Sequence, residues 1–589
     1  MAGGGPDDGS TYAPLVAAVY VFNLIVGAGA LAMPKAFGES GYLGGSILIA
    51  ILAFTSYVTV TYMIEAMAMA NCLMRTLKKN ASSRNNGLSI EGLSDETPLI
   101  NESVTPTERA NSADVAHFGD YAITERAEMG SMAQHFFPPI GVKLFYFCII
   151  VYLYGDLCIY AVAVPKSLQS VTCPSHNSTM INGTHVHHHE TCLGDLNSTG
   201  SYRIYLLLFA CLLGPFAFFN AQKTKWIQLM TTLLRWTTFM MMIIIAIMGL
   251  AGTQTFNPPI ETPSPASVKV ATVEGLPGLF GVAIYSFMCH HSLPSMITPM
   301  TTKRNVNGVL ISDFALILGF YCLLCFTAVF RFPGGTLEDL YTLNFKHFQS
   351  SFVSYFLGLF PVFTLSANFP IIAITLRNNL ALLLAKPNGQ PRSPIIERVA
   401  YPLLAILPPF VVAFFTENVE FLVGITGSYA GVGIQYVIPA CLVLFGRRRL
   451  ERELRERRNP HRSVFGGKIW IYGVLVWSVL CIALVTFNHI YEGKTPDPDF
   501  VVSLLLCHKS RINCKLLCYE LSCHNIYIFL LRAQLHQFFQ KVGSTKHFLH
   551  YDIKPRSKAP IPRCSITPAP ALALRRDPCH SENNIKAKC

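Results

Sequence analysis

The chain has 589 residues, of which 51% are apolar and only 14% charged, whereas a soluble domain carries roughly 25% charged residues. That balance excludes an ordinary soluble enzyme and points to a lipid solvent, because about 20 consecutive apolar residues are needed to cross about 30 Å of hydrocarbon. The formal net charge of +12 lies mostly in short loops between apolar stretches, where basic residues set topology, so no nucleic-acid partner is expected.

Eleven membrane spans are predicted, at 14–37, 43–69, 141–164, 203–221, 226–250, 273–299, 305–330, 352–376, 396–416, 420–446 and 468–490. Residues 1–12 form a short tail without a basic start, and further spans follow, so a retained first helix is expected and not a cleaved signal peptide. Arg75, Lys78, Lys79, Lys223, Lys225, Lys303, Arg304, Arg377, Arg392 and the basic run at 447–468 fall on one side of the membrane if the spans alternate. The opposite loops hold only Lys166, Arg203, Lys269, Arg331 and Lys346. The richer side is cytosolic by the positive-inside rule, which makes 1–12 a cytosolic tail and 13–491 the membrane domain. Residues 492–589 change character, with scattered Cys, His, Pro and basic residues, and read as a disordered tail.

The loop at 169–202 falls on the non-cytosolic side and carries three Asn-X-Ser/Thr sequons, at Asn177, Asn182 and Asn197, so a glycoprotein is predicted. Cys173 and Cys192 in the same loop are candidates for a disulfide in an oxidising compartment. His185, His187, His188, His189 and Glu190 are donor-rich but lack regular ligand spacing, and the preferred reading is a polar loop tip with no metal. On the cytosolic side, 71–140 is the longest connection, polar and expected to be disordered as far as about Asp120. It contains Asp95, Leu99 and Ile100 in an acidic dileucine pattern, which clathrin adaptors read, so a lysosomal or endosomal membrane is expected first and the plasma membrane second. Residues 124–137 read as an amphipathic helix lying at the membrane surface.

Residues 23–37, NLIVGAGALAMPKAF, place Gly27 and Gly29 near mid-membrane ahead of Pro34. Glycine costs about 1 kcal/mol relative to alanine in a helix, and proline removes a backbone donor, so this span is expected to break where backbone lines a protein cavity. Residues 281–299, GVAIYSFMCHHSLPSMITP, carry a second interrupted pattern ending in Pro294. Because the spans alternate, the sixth enters from the side opposite to the first. Paired discontinuous helices in opposed halves point to a secondary-transporter site at the midplane. The plainer reading is that small residues let helices pack closely.

The first span, CHHSLP at 289–294 and TGSYAGVGIQYVIPA at 426–440 resemble the amino acid/auxin permease family, and the resemblance runs over about residues 12–490. It implies an all-α integral membrane fold, a five-plus-five inverted repeat of the APC/LeuT type with broken helices 1 and 6, plus an eleventh helix. It also implies amino acid transport by alternating access, as a symport driven by protons or sodium, with no other cofactor. The amides of Gly27, Ala28 and Gly29 would face a substrate carboxylate, with the positive end of a half-helix behind them. Carbonyls near Asn23, Ser286 and Phe287 would accept from its ammonium, and Tyr152, Tyr154 and His290 are candidates for contact with the rest of the solute.

In such a fold a sodium ion sits between the first and eighth helices, and Thr364 and Ser366 in FTLSANFP at 363–370 supply hydroxyls. Arg235, however, lies deep in the fifth span, where a charged side chain costs at least about 2.5 kcal/mol. Either its guanidinium replaces that cation, leaving protons as the driver, or it snorkels toward the cytosol. Asp156 in YLYGDLCIY at 152–160 is the carboxylate expected to take the proton. The rival reading is an amino-acid sensor that signals through its cytosolic loop without transport. No motif of an enzyme is present, and no filter sequence suggests a channel.

Overall fold

A computed structural model of the chain describes residues 11–492 except 87–114, 116–117, 174–191, 193–196, 220–224, 258, 261, 265–266, 385–395 and 454–458. Asn177, Asn182, the histidine tract, Asp95, Leu99, Ile100 and the tail after 492 lie outside the described residues.

The described residues form an all-helical membrane protein. Helix α1 (Pro14–Ile25) starts on a proline and stops at residue 25, and α2 (Ala28–Ser40) continues after a bend of 58°. Proline at the first helical turn has no orphan donor to lose. Helix α2 ends at Gly41, whose φ of 79° suits glycine; a Cβ there would lie 2.7 Å from the backbone of Val270 and Ala271, so only the bare backbone closes this turn. Then follow α3 (Tyr42–Asn86), a short α4 (Met129–Phe136), α5 (Pro139–Thr172), α6 (Ser198–Leu213) and α7 (Lys225–Leu250). The sixth apolar stretch is interrupted: α8 (Leu276–Ser286) gives way to an unwound segment at 287–292 and a single turn, α9 (Leu293–Ile297). The remainder is α10 (Val306–Arg331), α11 (Ser351–Leu383), α12 (Tyr401–Phe415), α13 (Val419–Thr426), α14 (Ile438–Glu453) and α15 (Lys468–Glu492). Helices α13 and α14 are joined through two π-helical turns, Gly427–Gly431 and Gly433–Val437, into one span.

Nine helices of the described residues are long and apolar enough to cross a membrane, or ten when α1 and α2 count as one bent span. The interrupted pair α8 and α9 is too short to be counted by that measure. Outward apolar side chains such as Ile47, Leu207, Leu316, Leu403, Ile469 and Leu484 are exposed, as a lipid-facing belt requires. Inside, α5 packs along α11, and α2 packs on α8. The approach of α8 to α13 is backbone on backbone, since a Cβ on Gly281 would sit 2.8 Å from the carbonyl carbon of Gly424.

The structure departs from the sequence reading at the basic end of the bundle. Helix α3 does not stop near Met69 but runs on to Asn86, and the connection resumes as a packed segment. The guanidinium of Arg75 donates to the carbonyls of Gly119 (3.1 Å), Asp120 (2.9 Å) and Ala122 (2.6 Å). Asn71 Oδ1 accepts from the amides of Thr124 (3.1 Å) and Glu125 (2.8 Å). These bonds satisfy backbone that would otherwise need water, so the helix extension and the loop hold each other in place. Helix α4 is shorter than the amphipathic helix expected at 124–137. Its apolar face, Met129, Met132, Ala133 and Phe136, is buried against α5 and α14 and not in lipid. Arg447 clamps the same end with a bidentate pair to Glu65 (2.7 and 2.8 Å).

Candidate functional site

The two breaks meet at a small pocket lined by Leu24, Ile25, Gly27, Ala28, Gly29, Tyr152, Asp156, Tyr160, Tyr285, Met288 and His291. Three parts of the chain build it. The first span breaks at residues 26–27, and Gly27, Ala28 and Gly29, at the opening of α2 where a helix leaves amides without internal partners, line the cavity. The middle of α5 supplies Tyr152, Asp156 and Tyr160 at four-residue spacing, hence on one face. The end of α8 and the unwound segment supply Tyr285, Met288 and His291.

Asp156 is 3% exposed and accepts from the hydroxyl of Tyr285 at 2.6 Å; the Tyr152 phenol is also within its reach. The Tyr152 ring lies 6.2 Å from that of Tyr285 and 5.4 Å from the His291 ring. A small polar solute here would meet the opening of α2 and an acid bonded by phenols. Gly29 fixes the separation of the walls, since a Cβ at that position would come within 2.9 Å of Ser286 Cα and of Tyr285 Cδ1.

The carbonyls freed by the breaks have protein donors. The hydroxyl of Tyr321, on α10, donates to Ile25 (3.1 Å) and to Ser286 (3.0 Å), bridging the two interrupted helices. Ser56 Oγ reaches the carbonyl of Phe287 at 3.3 Å. Arg235, 9% exposed, donates through Nη1 to the carbonyl of Asn23, and no carboxylate among the described residues stands within ion-pair distance of it. The carbonyls expected to meet a substrate ammonium, those of Asn23, Ser286 and Phe287, are thus held by Arg235, Tyr321 and Ser56.

Of the residues singled out from sequence, Gly27, Ala28, Gly29 and Tyr152 line the pocket, and Asp156, expected to serve proton coupling, lines it with them. His290 lies elsewhere, fully buried with Nε2 2.9 Å from Thr59 Oγ1, while its neighbour His291 faces the cavity. Tyr154 donates to the carbonyl of Leu404 at 2.6 Å, on the far side of α5. Thr364 Oγ1 is bonded to the carbonyl of Phe360 in its own helix at 2.8 Å, and Ser366 is half-buried on the same helix. Neither lines the pocket. Tyr160, Tyr285, Met288 and Tyr321 were not anticipated from the sequence, and of the two adjacent histidines the candidate was His290; the four-residue spacing of Tyr152, Asp156 and Tyr160 was the available signal for Tyr160.

At the end of the bundle away from the long α3 extension, Lys35 pairs with Asp339 (2.6 Å) and Glu420 (3.1 Å), and Lys166 pairs with Asp339 (2.8 Å). Burial works against ionisation of Asp339, yet the Lys166 and Lys35 ammonium groups outweigh it and hold this loop carboxyl below the usual range. Nearby, Cys173 and Cys192 are joined as a disulfide with Cα atoms 4.8 Å apart, and exposed Asn197 caps α6 by accepting from the Gly200 amide at 2.9 Å.

Comparison with known proteins places this geometry in a family. The profile described as transmembrane amino acid transporter protein matches residues 11–479. Transmembrane protein 104 of Gallus gallus is 46% identical over 499 residues, covering 83% of this chain and 98% of that protein. The Homo sapiens protein of the same name is 45% identical with the same coverage, and the Transmembrane protein 104 homolog of Drosophila melanogaster is 40% identical over 523 residues, covering 82% of this chain and 98% of its own. By the extent of these matches, the chain belongs to the transmembrane amino acid transporter family.

Proposed function

We propose that the protein is a secondary active transporter of amino acids or related small zwitterions, working by alternating access about the pocket between the two interrupted helices. The observation that carries this reading is that the opening residues of α2, Gly27, Ala28 and Gly29, and the carboxylate of Asp156 line one cavity. A zwitterion stripped of water needs a partner of each sign, because an isolated charge in a low-dielectric interior is costly. Counting α8 with α9 as a broken span gives eleven spans, and the five-plus-five inverted arrangement accounts for breaks in the first and the sixth.

In this reading protons drive transport and Asp156 carries them. Arg235 stands where a sodium ion would otherwise sit. Its bond to the carbonyl of Asn23 favours that role over snorkelling toward the cytosol, since the guanidinium is spent on backbone at the break. The protein would reside in endosomal or lysosomal membranes, sorted through Asp95, Leu99 and Ile100 by a clathrin adaptor and glycosylated at Asn177, Asn182 and Asn197.

The test is flux of radiolabelled amino acids into liposomes holding the purified chain. Accumulation driven by a proton gradient without sodium is expected, with loss in Gly27→Leu, which fills the cavity. Binding without accumulation would mark a sensor. Dependence on sodium would overturn the role of Arg235.

A further inference from the structure

We propose that Asp156 is the anchor for the ammonium group of the carried solute, so that solute and proton compete for one carboxylate and the protein exchanges them. This rests on the carrier reading above and adds the sign of its coupling and the chemical class of its solute. The solute must bear a primary or secondary amine.

Three observations point this way. Asp156 is the one carboxylate among the described pocket-lining residues. The backbone carbonyls that an ammonium would otherwise use are already bonded, to Arg235, Tyr321 and Ser56. Gly27, Ala28 and Gly29, at the opening of α2, also line the pocket; amides at a helix start suit the carboxylate of the solute, which leaves its amine to Asp156.

The other titratable or charged groups around Asp156 are Tyr152 and Tyr160 on its own helix, Tyr285 and His291 from the sixth stretch, and Arg235 beyond Tyr160. The phenols of Tyr285 and Tyr152 donate to the carboxylate and can turn toward a bound amine as its second partners. Arg235 is engaged with Asn23, so it supplies no competing counter-ion. Binding is then a balanced replacement. A protonated Asp156 gives up one proton, and the resulting carboxylate pairs with the ammonium of the solute. A carboxylate cannot hold a covalent proton and an ion-paired ammonium together, so each half-cycle carries one or the other. Solute moving one way returns a proton the other way, in contrast to a symport, in which both are bound at once.

The experiment uses the full chain in lipid nanodiscs, with the twenty standard amino acids as probes and, for the tightest, its des-amino carboxylic acid. Dissociation constants are measured by calorimetry between pH 7.5 and 5.5 in two buffers of different ionisation heat. The expected result is affinity that weakens toward acid pH, up to about tenfold per pH unit where Asp156 is protonated, with close to one proton released per solute bound. Asp156→Asn should cost at least about tenfold in affinity for the amino acid and abolish the pH slope, while the des-amino acid binds it as well as it binds wild type. His291→Gln should keep the slope, which separates Asp156 from the neighbouring imidazole. Should Asp156→Asn fail to fold, the wild-type slope and proton count still decide. Affinity that tightens toward acid pH, or an Asp156→Asn variant with unchanged affinity, overturns the exchange while leaving the carrier reading intact. If none of the twenty probes binds, the exchange proposed here fails, and flux of related zwitterions into liposomes decides the carrier reading separately.

Discussion

Gly29→Ala tests whether the two interrupted helices lean on each other as described. The added Cβ would lie 2.9 Å from Ser286 Cα and from Tyr285 Cδ1, whereas ordinary contacts begin near 3.4 Å. The nearest atom of all is Ser286 Oγ, which can rotate away, but Ser286 Cα is backbone and cannot, so the walls must part by about 0.5 Å. Overpacking of this kind costs about 1–3 kcal/mol. Gly27→Ala is the matched control, because its Cβ would find nothing closer than 3.9 Å. Thermal unfolding in detergent should show Gly29→Ala several degrees below wild type and Gly27→Ala close to it. Solute binding should fall in both, through displaced walls in the first and a methyl group at the cavity in the second. Equal melting of Gly29→Ala and wild type would refute the close approach of α2 and α8.

Further perturbations address other parts of the molecule. Arg235→Met removes the donor from a buried carbonyl and should cost about 1–3 kcal/mol in unfolding free energy, with proton-driven uptake lost in sodium-free liposomes. Asp339→Asn breaks the contacts to Lys35 and Lys166. Because the folded protein holds this carboxyl below its ordinary 3.8, the advantage of wild type should be fully present from pH 7 to 5 and shrink only as pH falls below about 4, which thermal melts across that range would show. Arg75→Ala should speed limited proteolysis between Gly119 and Thr124 while leaving transport in place, since the bonds it removes lie at the end of the bundle and not in the pocket. Substitution of Leu99 and Ile100 by Ala should move the protein to the cell surface, read by surface labelling; unchanged localisation removes the sorting signal.

Hydropathy made the membrane helices legible, because a 20-residue apolar run has few alternatives in lipid. The break of the first span was legible from Gly27, Gly29 and Pro34, which combine backbone freedom with a missing donor. What could not be read was which neighbour of a kinked segment faces the cavity. His290 and His291 are adjacent, and once the helix unwinds at 287–292 its 100° periodicity no longer assigns them a side. The partners of freed carbonyls were hidden too, since Tyr321 looks like any buried aromatic until its hydroxyl is seen between Ile25 and Ser286. The extension of α3 was hidden for a related reason: Arg75 reaches carbonyls 44 to 47 residues further on, beyond any local pattern.

The hydroxyl shared by both breaks ties the timing of the molecule to a single side chain. A phenol has one proton to give, so in the proposed alternating-access cycle, as one interrupted helix swings away the other would inherit the full bond, and the carbonyl left behind would need water or solute. If the carrier reading holds, opening on either face would pass through a moment at which hydration of the central cavity and release of one half-helix are the same event.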